Sequence, residues 1–446
     1  MILKKFAAVL SAVFILCYIF CTSSIKINAQ SENIILNARH AALIDSTSKR
    51  VLYGKDENTK AAMASTTKIM TCLVALKYGN FNAPCTCSAY ASSMPQVHLC
   101  ASKGEAFDLS DLLYSLMLKS QNDSAVIIAE NTAYNYIYQV KNSLRTDDMQ
   151  LIGDTDFSFL NINNEYNSSI LSQLNSDQSK ILVHIFAGIM NETAKSFGCY
   201  DTYFITPNGL DASDENGTHS TTAKDLAVIM SYCIDNTDFL KITQSDNHTF
   251  SSYKITDGNK FTPSGKSYSV NNTNALLHMY DNIISGKTGF TCDAGYCYVC
   301  AYRSENRTFV VALLACGWPP AKTYKYKDAK VLLDYARSRY FYKDVICTRT
   351  AIKPVTVTNG KTDHTDVYII ENFGLLLSDS DQVNVIFNIP SYLEAPVVKD
   401  SVAGHISIYI NDVLVKEIPA YTASDVNKLE YNDFITDVIK KFIFSL

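Results

Sequence analysis

The 446-residue chain has no run of lysine or arginine that makes a basic tract, and its formal net charge is only −5. A nucleic-acid binder neutralises phosphates with clustered cations, so nothing here supports that function class. Its thirteen cysteines fall into no metal-ligand spacing. Cys85-x-Cys87 and Cys297-x-x-Cys300 are isolated pairs without a matching second pair, and His98, His184 and His248 stand at no ligand spacing either. No metal and no cofactor is expected. Cys17 and Cys21 lie in the N-terminal apolar segment and leave an odd, unpatterned set behind them. In an exported chain this points to an oxygen-poor habitat rather than to a disulfide framework. The Asn-x-Ser/Thr sequons, Asn191, Asn216 and Asn247 among them, read as coincidence.

What is present begins with Lys4-Lys5, an apolar run over 6–20, and a polar stretch ending at Ala29-Gln30. That order reads as a secretory signal peptide over 1–29, with a retained membrane anchor as the alternative. Either way the working part is exported, at the extracellular face of the cytoplasmic membrane or in the cell wall. With 47% hydrophobic and 19% charged residues, the remainder is globular and long enough for two or three domains.

Residues 41–53 read as a strand, a turn and a return strand. An apolar helix follows over 69–79, then helices over 107–118, capped by Asp108 or Ser110, and 124–133. Residues 134–182 change to an Asn-rich, aromatic-dotted texture with no steady period, read as an insert that is at best partly ordered. Helical spacing returns at 185–197 and 222–232. A strand starting at 281 and strands over 296–302 and 308–316 make an antiparallel meander, closed by a helix over 327–340. Short β-like runs from about 345 suggest a separate small domain. The expected organisation is therefore a catalytic domain over 30–343, a β domain over 344–430 and a terminal helix over 431–446. That helix carries Ile435, Val438, Ile439, Phe442 and Ile443 on one side and Asp433, Asp437, Lys440 and Lys441 on the other. It is too short to span a bilayer; lying on a membrane surface and packing on the β domain both fit.

The chemistry gathers at three motifs. Ser65-x-x-Lys68 opens a buried helix and places a hydroxyl and an amine on one face. Serine needs a base, and lysine serves only when burial or a neighbouring cation keeps it neutral. Ser120-x-Asn122 lies between helices, and Lys287-Thr288-Gly289 lies on the strand. By residue type, Ser65 attacks a carbonyl and Lys68 takes its proton, with Lys287 helping to keep Lys68 neutral. Ser120 relays a proton to the leaving amine, and Asn122 holds Lys68 and a substrate amide. Lys287 and Thr288 suit a substrate carboxylate, and Gly289 lets substrate backbone lie close. The backbone N–H groups of Ser65 and Phe290 form the oxyanion hole.

This trio, with residues 41–53, 64–76, 111–130, 190–227 and 272–335, resembles the low-molecular-mass penicillin-binding proteins, the D-alanyl-D-alanine carboxypeptidases of the S11 serine peptidase type. The resemblance implies an α/β (α+β) transpeptidase-like fold, shared with β-lactamases: an antiparallel sheet with helices on both faces, a helical subdomain and a small all-β C-terminal domain. It also implies removal of the terminal D-alanine from peptidoglycan stems ending in D-Ala-D-Ala, through an acyl-enzyme on Ser65, with β-lactam antibiotics as covalent inhibitors. Gln121 stands where the family usually has glycine, and a larger side chain there narrows the cleft or alters substrate preference. Lys325 stands near an arginine position of the family, and the insert could lid the cleft or meet a partner. A DD-endopeptidase uses the same machinery. A β-lactamase needs an added carboxylate, for which Glu165 is the nominal candidate, read here as a solvated charge; a wall-binding protein with a decayed site is disfavoured by three intact motifs.

Overall fold

The computed structural model describes residues 34–142, 149–153, 155–162, 165–257, 259–348, 352 and 354–443. The expected signal peptide over 1–29 lies outside the described residues. In chain order the elements that position the site are strands β1 (His40–Asp45) and β2 (Val51–Lys55), helix α1 (Lys68–Tyr78), strands β3 (Cys85–Thr86) and β4 (Glu105–Phe107), and helices α2 (Leu109–Tyr114), α3 (Asn122–Lys141), α4 (Ser176–Ser196) and α5 (Ala223–Cys233). Then come strands β5 (Asn247–Thr256), β6 (Lys260–Asn271), β7 (Ile283–Thr291), β8 (Gly295–Ser304) and β9 (Arg307–Leu314), and helix α6 (Tyr324–Arg339).

The central sheet is antiparallel in the order β2-β1-β9-β8-β7, so β7 is an edge. In β1 the consecutive residues Ala41, Ala42, Leu43 and Ile44 are all fully buried. Successive side chains alternate faces, so both faces of this sheet are covered. Ala42, Ile44, Val310 and Ala312 join the main core with Leu226, Ala227 and Met230 of α5 and Ile69, Met70 and Val74 of α1. Helix α6 packs on β9 and β8. Its Asp328 accepts from the Ala38 amide and the Asn37 side chain, both at 2.7 Å, and so ties the start of the domain to the sheet.

Three expectations are corrected. The helix expected to stop at Ala133 runs to Lys141, buried almost throughout. Its asparagines are accommodated because they replace backbone partners: Asn131 pairs with both the N–H and C=O of Thr86, and Asn135 donates to the Tyr78 carbonyl. The following segment is more ordered than its composition suggests. Ile152, Phe157, Leu160, Leu171 and Leu174 are buried in the main core, Tyr166 stacks on Tyr134 of α3, and Ser168 bonds Pro84 and Thr86 beside β3. A sheet unmarked in the sequence, β3-β4-β5-β6, is dominated by the hairpin β5–β6, whose Ser, Thr and Asn side chains leave much of both faces exposed.

Beyond α6, residues 341–422 form small sheets of two, three and four strands around Ile406, Ile408 and Ile418. Arg50 of the β1–β2 turn joins this part to the rest. It makes a two-pronged bond with Asp381, at 2.9 and 3.1 Å, and a third bond to the Leu376 carbonyl at 2.7 Å. The last helix, α7 (Tyr431–Ile443), leaves Phe434, Ile435, Val438, Ile439 and Ile443 exposed.

Candidate active site

Ser65 lies on a 3-10 turn, Ala64–Thr67, that passes straight into α1 at Lys68. With three residues per turn, positions i and i+3 eclipse. Lys68 Nζ accordingly sits 2.9 Å from Ser65 Oγ. Two glycines make room for the turn. A Cβ on Gly209, whose φ is +81°, would collide with the Ala64 carbonyl, and one on Gly289 would lie 2.8 Å from the Ser65 nitrogen. Gly289 was expected to admit substrate backbone; what approaches it so closely is the nucleophile's own turn.

Lys68 is fully buried, and its Nζ meets Ser65 Oγ, Asn122 Oδ1 at 2.9 Å and the Asn208 carbonyl at 2.6 Å. Burial first, and then the charge of Lys287, hold its pKa well below the ordinary lysine value, against a smaller opposing pull from Asp123. A neutral amine has two N–H donors and one lone pair. The Asn122 and Asn208 oxygens can only accept, so they take both hydrogens. The lone pair is left for the one neighbour that carries a proton, the Ser65 hydroxyl. That is the state a general base requires.

Ser120 follows a π-helical turn, Ser115–Lys119, and adopts left-handed backbone at φ 66°, ψ 34°. Strained backbone of this kind persists where its surroundings hold it. Here the Leu118 carbonyl accepts from the Thr273 amide at 3.0 Å and hydroxyl at 2.9 Å. Lys287 Nζ then donates to Ser120 Oγ at 2.8 Å and to the Thr288 carbonyl at 2.8 Å. Burial pulls the Lys287 pKa down to about 7. Asn122 spends both amide hydrogens on the Pro95 and Gln96 carbonyls, at 3.1 and 3.3 Å. Its remaining capacity is the second lone pair of Oδ1, which suits a substrate N–H.

The cleft encloses about 340 Å³ and is lined by Ser65, Ser120, Asn122, Thr288, Gly289 and Phe290, with Gln96, Val97, Gly209, Leu210, Thr291, Tyr296, Lys322 and Lys325. No carboxylate is among these lining residues. On β8, Tyr296 bonds Cys316 and Gly317 on its far side, so its pairing with Phe290 is of the non-hydrogen-bonded kind. The N–H groups of Phe290 and, by the same parity, Thr288 therefore point out of the open edge of β7. Lys325 packs on Tyr296 and Tyr326, and burial together with neighbouring Lys322 pushes its pKa down to about 8.

Residues 26–145 and 183–315 match the Peptidase S11 family model, D-alanyl-D-alanine carboxypeptidase, and residues 342–428 match the C-terminal domain of penicillin-binding protein 5. The chain belongs to the S11 family. Among curated relatives it is 23% identical over 418 residues to the D-alanyl-D-alanine carboxypeptidase DacF of Bacillus subtilis, covering 91% of this chain and 90% of that one. A D-alanyl-D-alanine carboxypeptidase of a Streptomyces species is 27% identical over 64% of this chain and 81% of its own. The structure of penicillin binding protein 5 from Haemophilus influenzae, 20% identical, superposes with a TM-score of 0.62 over 89% of this chain and 99% of that one, which shows the shared fold.

In this S11 peptidase the remaining expectations resolve locally. Gln121 is not among the residues lining the cleft; its side chain turns inward, accepting from Ser115 and donating to the His98 carbonyl at 3.3 Å. It therefore does not narrow the cleft. Glu165 is exposed and lies on the segment packed against α3, and no described residue of 149–182 lines the cleft. His219 is buried. Its Nδ1 accepts from the Ile205 amide at 2.9 Å, so Nε2 bears the proton toward Thr67 Oγ1 at 2.8 Å, and burial lowers its pKa to about 4. It is a neutral brace for the Ser65 turn. The Asn208 carbonyl, which orients Lys68, was missed, because a backbone acceptor leaves no side-chain signature in a sequence.

Proposed function

We propose that this peptidase removes the terminal D-alanine from peptidoglycan pentapeptide through an acyl-enzyme on Ser65. The observation that carries the reading is the Lys68 amine, buried, with both hydrogens taken by carbonyl acceptors and its lone pair turned to the Ser65 hydroxyl. Ser65 Oγ adds to the carbonyl of the penultimate D-alanine as its proton passes to Lys68 Nζ. The oxyanion that forms is received by the N–H groups of Ser65 and Phe290. Collapse expels the terminal D-alanine as its amine takes a proton through Ser120, whose oxygen is already held by Lys287. Water then releases the shortened peptide. The substrate carboxylate lies toward Thr288, Lys322 and Lys325, the cationic end of the cleft. β-Lactams acylate Ser65 by the same attack, and the absence of a carboxylate among the lining residues favours a long-lived adduct over a β-lactamase.

The exposed apolar side of α7, Phe434, Ile435, Val438, Ile439 and Ile443, supports attachment to a membrane surface after export. Among the described residues no helix is long and apolar enough to cross a membrane.

Mass spectrometry of the full chain with a peptide ending in D-Ala-D-Ala should show loss of one alanine and a transient acyl adduct. Cleavage of a cross-linked dimer instead would make it an endopeptidase. Labelling by a fluorescent penicillin should vanish in Ser65→Ala. Flotation with anionic vesicles should be lost on truncation after residue 430; retained flotation removes α7 from the proposal.

A further inference from the structure

Segment 95–101 forms one wall of the cleft through Gln96 and Val97, yet it has no helix or strand of its own. Its main chain is held by three consecutive residues at the start of α3. The Asn122 amide donates to the Val97 carbonyl at 2.7 Å, and its side chain holds the carbonyls of Pro95 and Gln96. Gln121 Nε2 donates to the His98 carbonyl at 3.3 Å, while its Oε1 is anchored on the Ser115 hydroxyl, which also bonds Ser124 at 2.6 Å. Asp123 accepts from the Leu99 amide at 2.7 Å and the Ala101 amide at 3.2 Å. Gln121 and Asp123 are both buried, so water is poorly placed to replace these bonds. Only Asn122 belongs to the catalytic groups; its neighbours spend their polar atoms on the wall and its anchors.

We propose that Gln121 and Asp123 are positioning residues for the carboxypeptidase reaction, a two-sided clamp that fixes segment 95–101 as a rigid wall for the bound peptide. Irregular segments without their own ladder open locally at low free energy unless they are pinned. A wall free to shift by about 1 Å loses substrate positioning. The clamp also explains how a full-sized side chain at 121 coexists with an open cleft: its length is spent reaching His98 from the rear.

The inference rests on the carboxypeptidase reading, so one arm of its test needs no substrate. Gln121→Met keeps length and burial but removes both hydrogen bonds. Amide hydrogen exchange of the full chain should then be about tenfold faster at Leu99 and Ala101, with the interior of α3 unchanged. KM for a D-Ala-D-Ala peptide should rise about fivefold with kcat within about twofold, the pattern of lost uniform binding. Asp123→Asn should speed the same two amides. It should also move the acid limb of kcat/KM to lower pH, because the charges facing Lys68 are Lys287 from β7 and Asp123 from α3, and only Asp123 raises its pKa. Should Asp123→Asn not fold, Gln121→Met decides alone. Wild-type exchange at Leu99 and Ala101, an unchanged KM, or a loss confined to kcat in Gln121→Met overturns the proposal. Inactivity of the unaltered chain on the peptide would instead count against the reaction, and the exchange arm would still judge the clamp.

Discussion

Lys287 Nζ reaches from the edge strand to Ser120 Oγ, 2.8 Å away on a residue held in left-handed backbone. One amine thus serves two groups. It orients the Ser120 hydroxyl, and its charge is the second cause, after burial, of the low pKa of Lys68. Lys287→Met should therefore do two separable things. Penicillin acylation should slow by about 10²- to 10⁴-fold, the range for misplacing an acid–base group. With the like charge gone, Lys68 should also hold its proton to higher pH, so the acid limb of the residual rate should shift upward. Stopped-flow acylation across pH measures both, and a slower rate with an unmoved acid limb would show that Lys287 does not tune Lys68.

Lys325 supplies a second pH signature. Its pKa, pushed down to about 8 by burial and by Lys322, means that the cationic end of the cleft loses charge as pH rises through that value. Affinity for a peptide carboxylate should fall on the alkaline side, as a rise in KM. Lys325→Arg keeps its charge throughout and offers a two-pronged donor, so KM should stay flat to about pH 10. If KM of the wild type is already flat from pH 7 to about 10, Lys325 is not the carboxylate partner.

Much of the site was legible because catalytic side chains obey spacing. Ser65 and Lys68 must share a face at three residues apart, and Lys287-Thr288-Gly289 lies in a strand whose neighbours alternate and bury as a meander should. What stayed hidden involves polar residues doing structural work. The β5–β6 hairpin is rich in Ser, Thr and Asn with much of both faces wet, so no period-two apolar pattern marks it. The second half of α3 looked like coil because Asn131 and Asn135 read as turn formers, whereas each bonds a distant main chain inside the core. Gln121 read as an obstacle to substrate, since a sequence gives no direction for a side chain. Only the Ser115 and His98 partners show that it points away.

The fit of the Ser65 turn against β7 should be unforgiving. A Cβ at Gly289 would lie 2.8 Å from the Ser65 nitrogen and 3.1 Å from the Thr66 nitrogen, both backbone atoms. Gly289→Ala must therefore displace the turn, and with it the Ser65 N–H and the Ser65–Lys68 contact. Labelling by penicillin should drop by at least about 100-fold, comparable to losing an oxyanion donor. The melting temperature should change far less than the rate, because the displaced atoms belong to one turn at the cleft. A Gly289→Ala protein that labels at the wild-type rate would mean that the turn relaxes without disturbing the nucleophile.

Glu130, in the middle of α3, predicts how stability varies with pH. It is fully buried, accepts from the Ser88 hydroxyl at 2.8 Å, and burial raises its pKa from 4.5 to about 8. Between those values the folded chain keeps a proton that the unfolded chain gives up. Its contribution is therefore fully present below pH 4.5, declines as pH climbs toward 8, and levels off above. The slope from this one group approaches about 1.4 kcal/mol per pH unit in the middle of the window. Glu130→Gln keeps an acceptor for Ser88 and cannot ionise, so it should remove that slope. Urea unfolding of both proteins at about pH 5, 6, 7 and 8 should show the variant gaining steadily on the wild type, and overtaking it at the alkaline end. A stability difference that does not change with pH would mean that Glu130 carries the same charge folded and unfolded, and that burial in α3 does not hold it protonated.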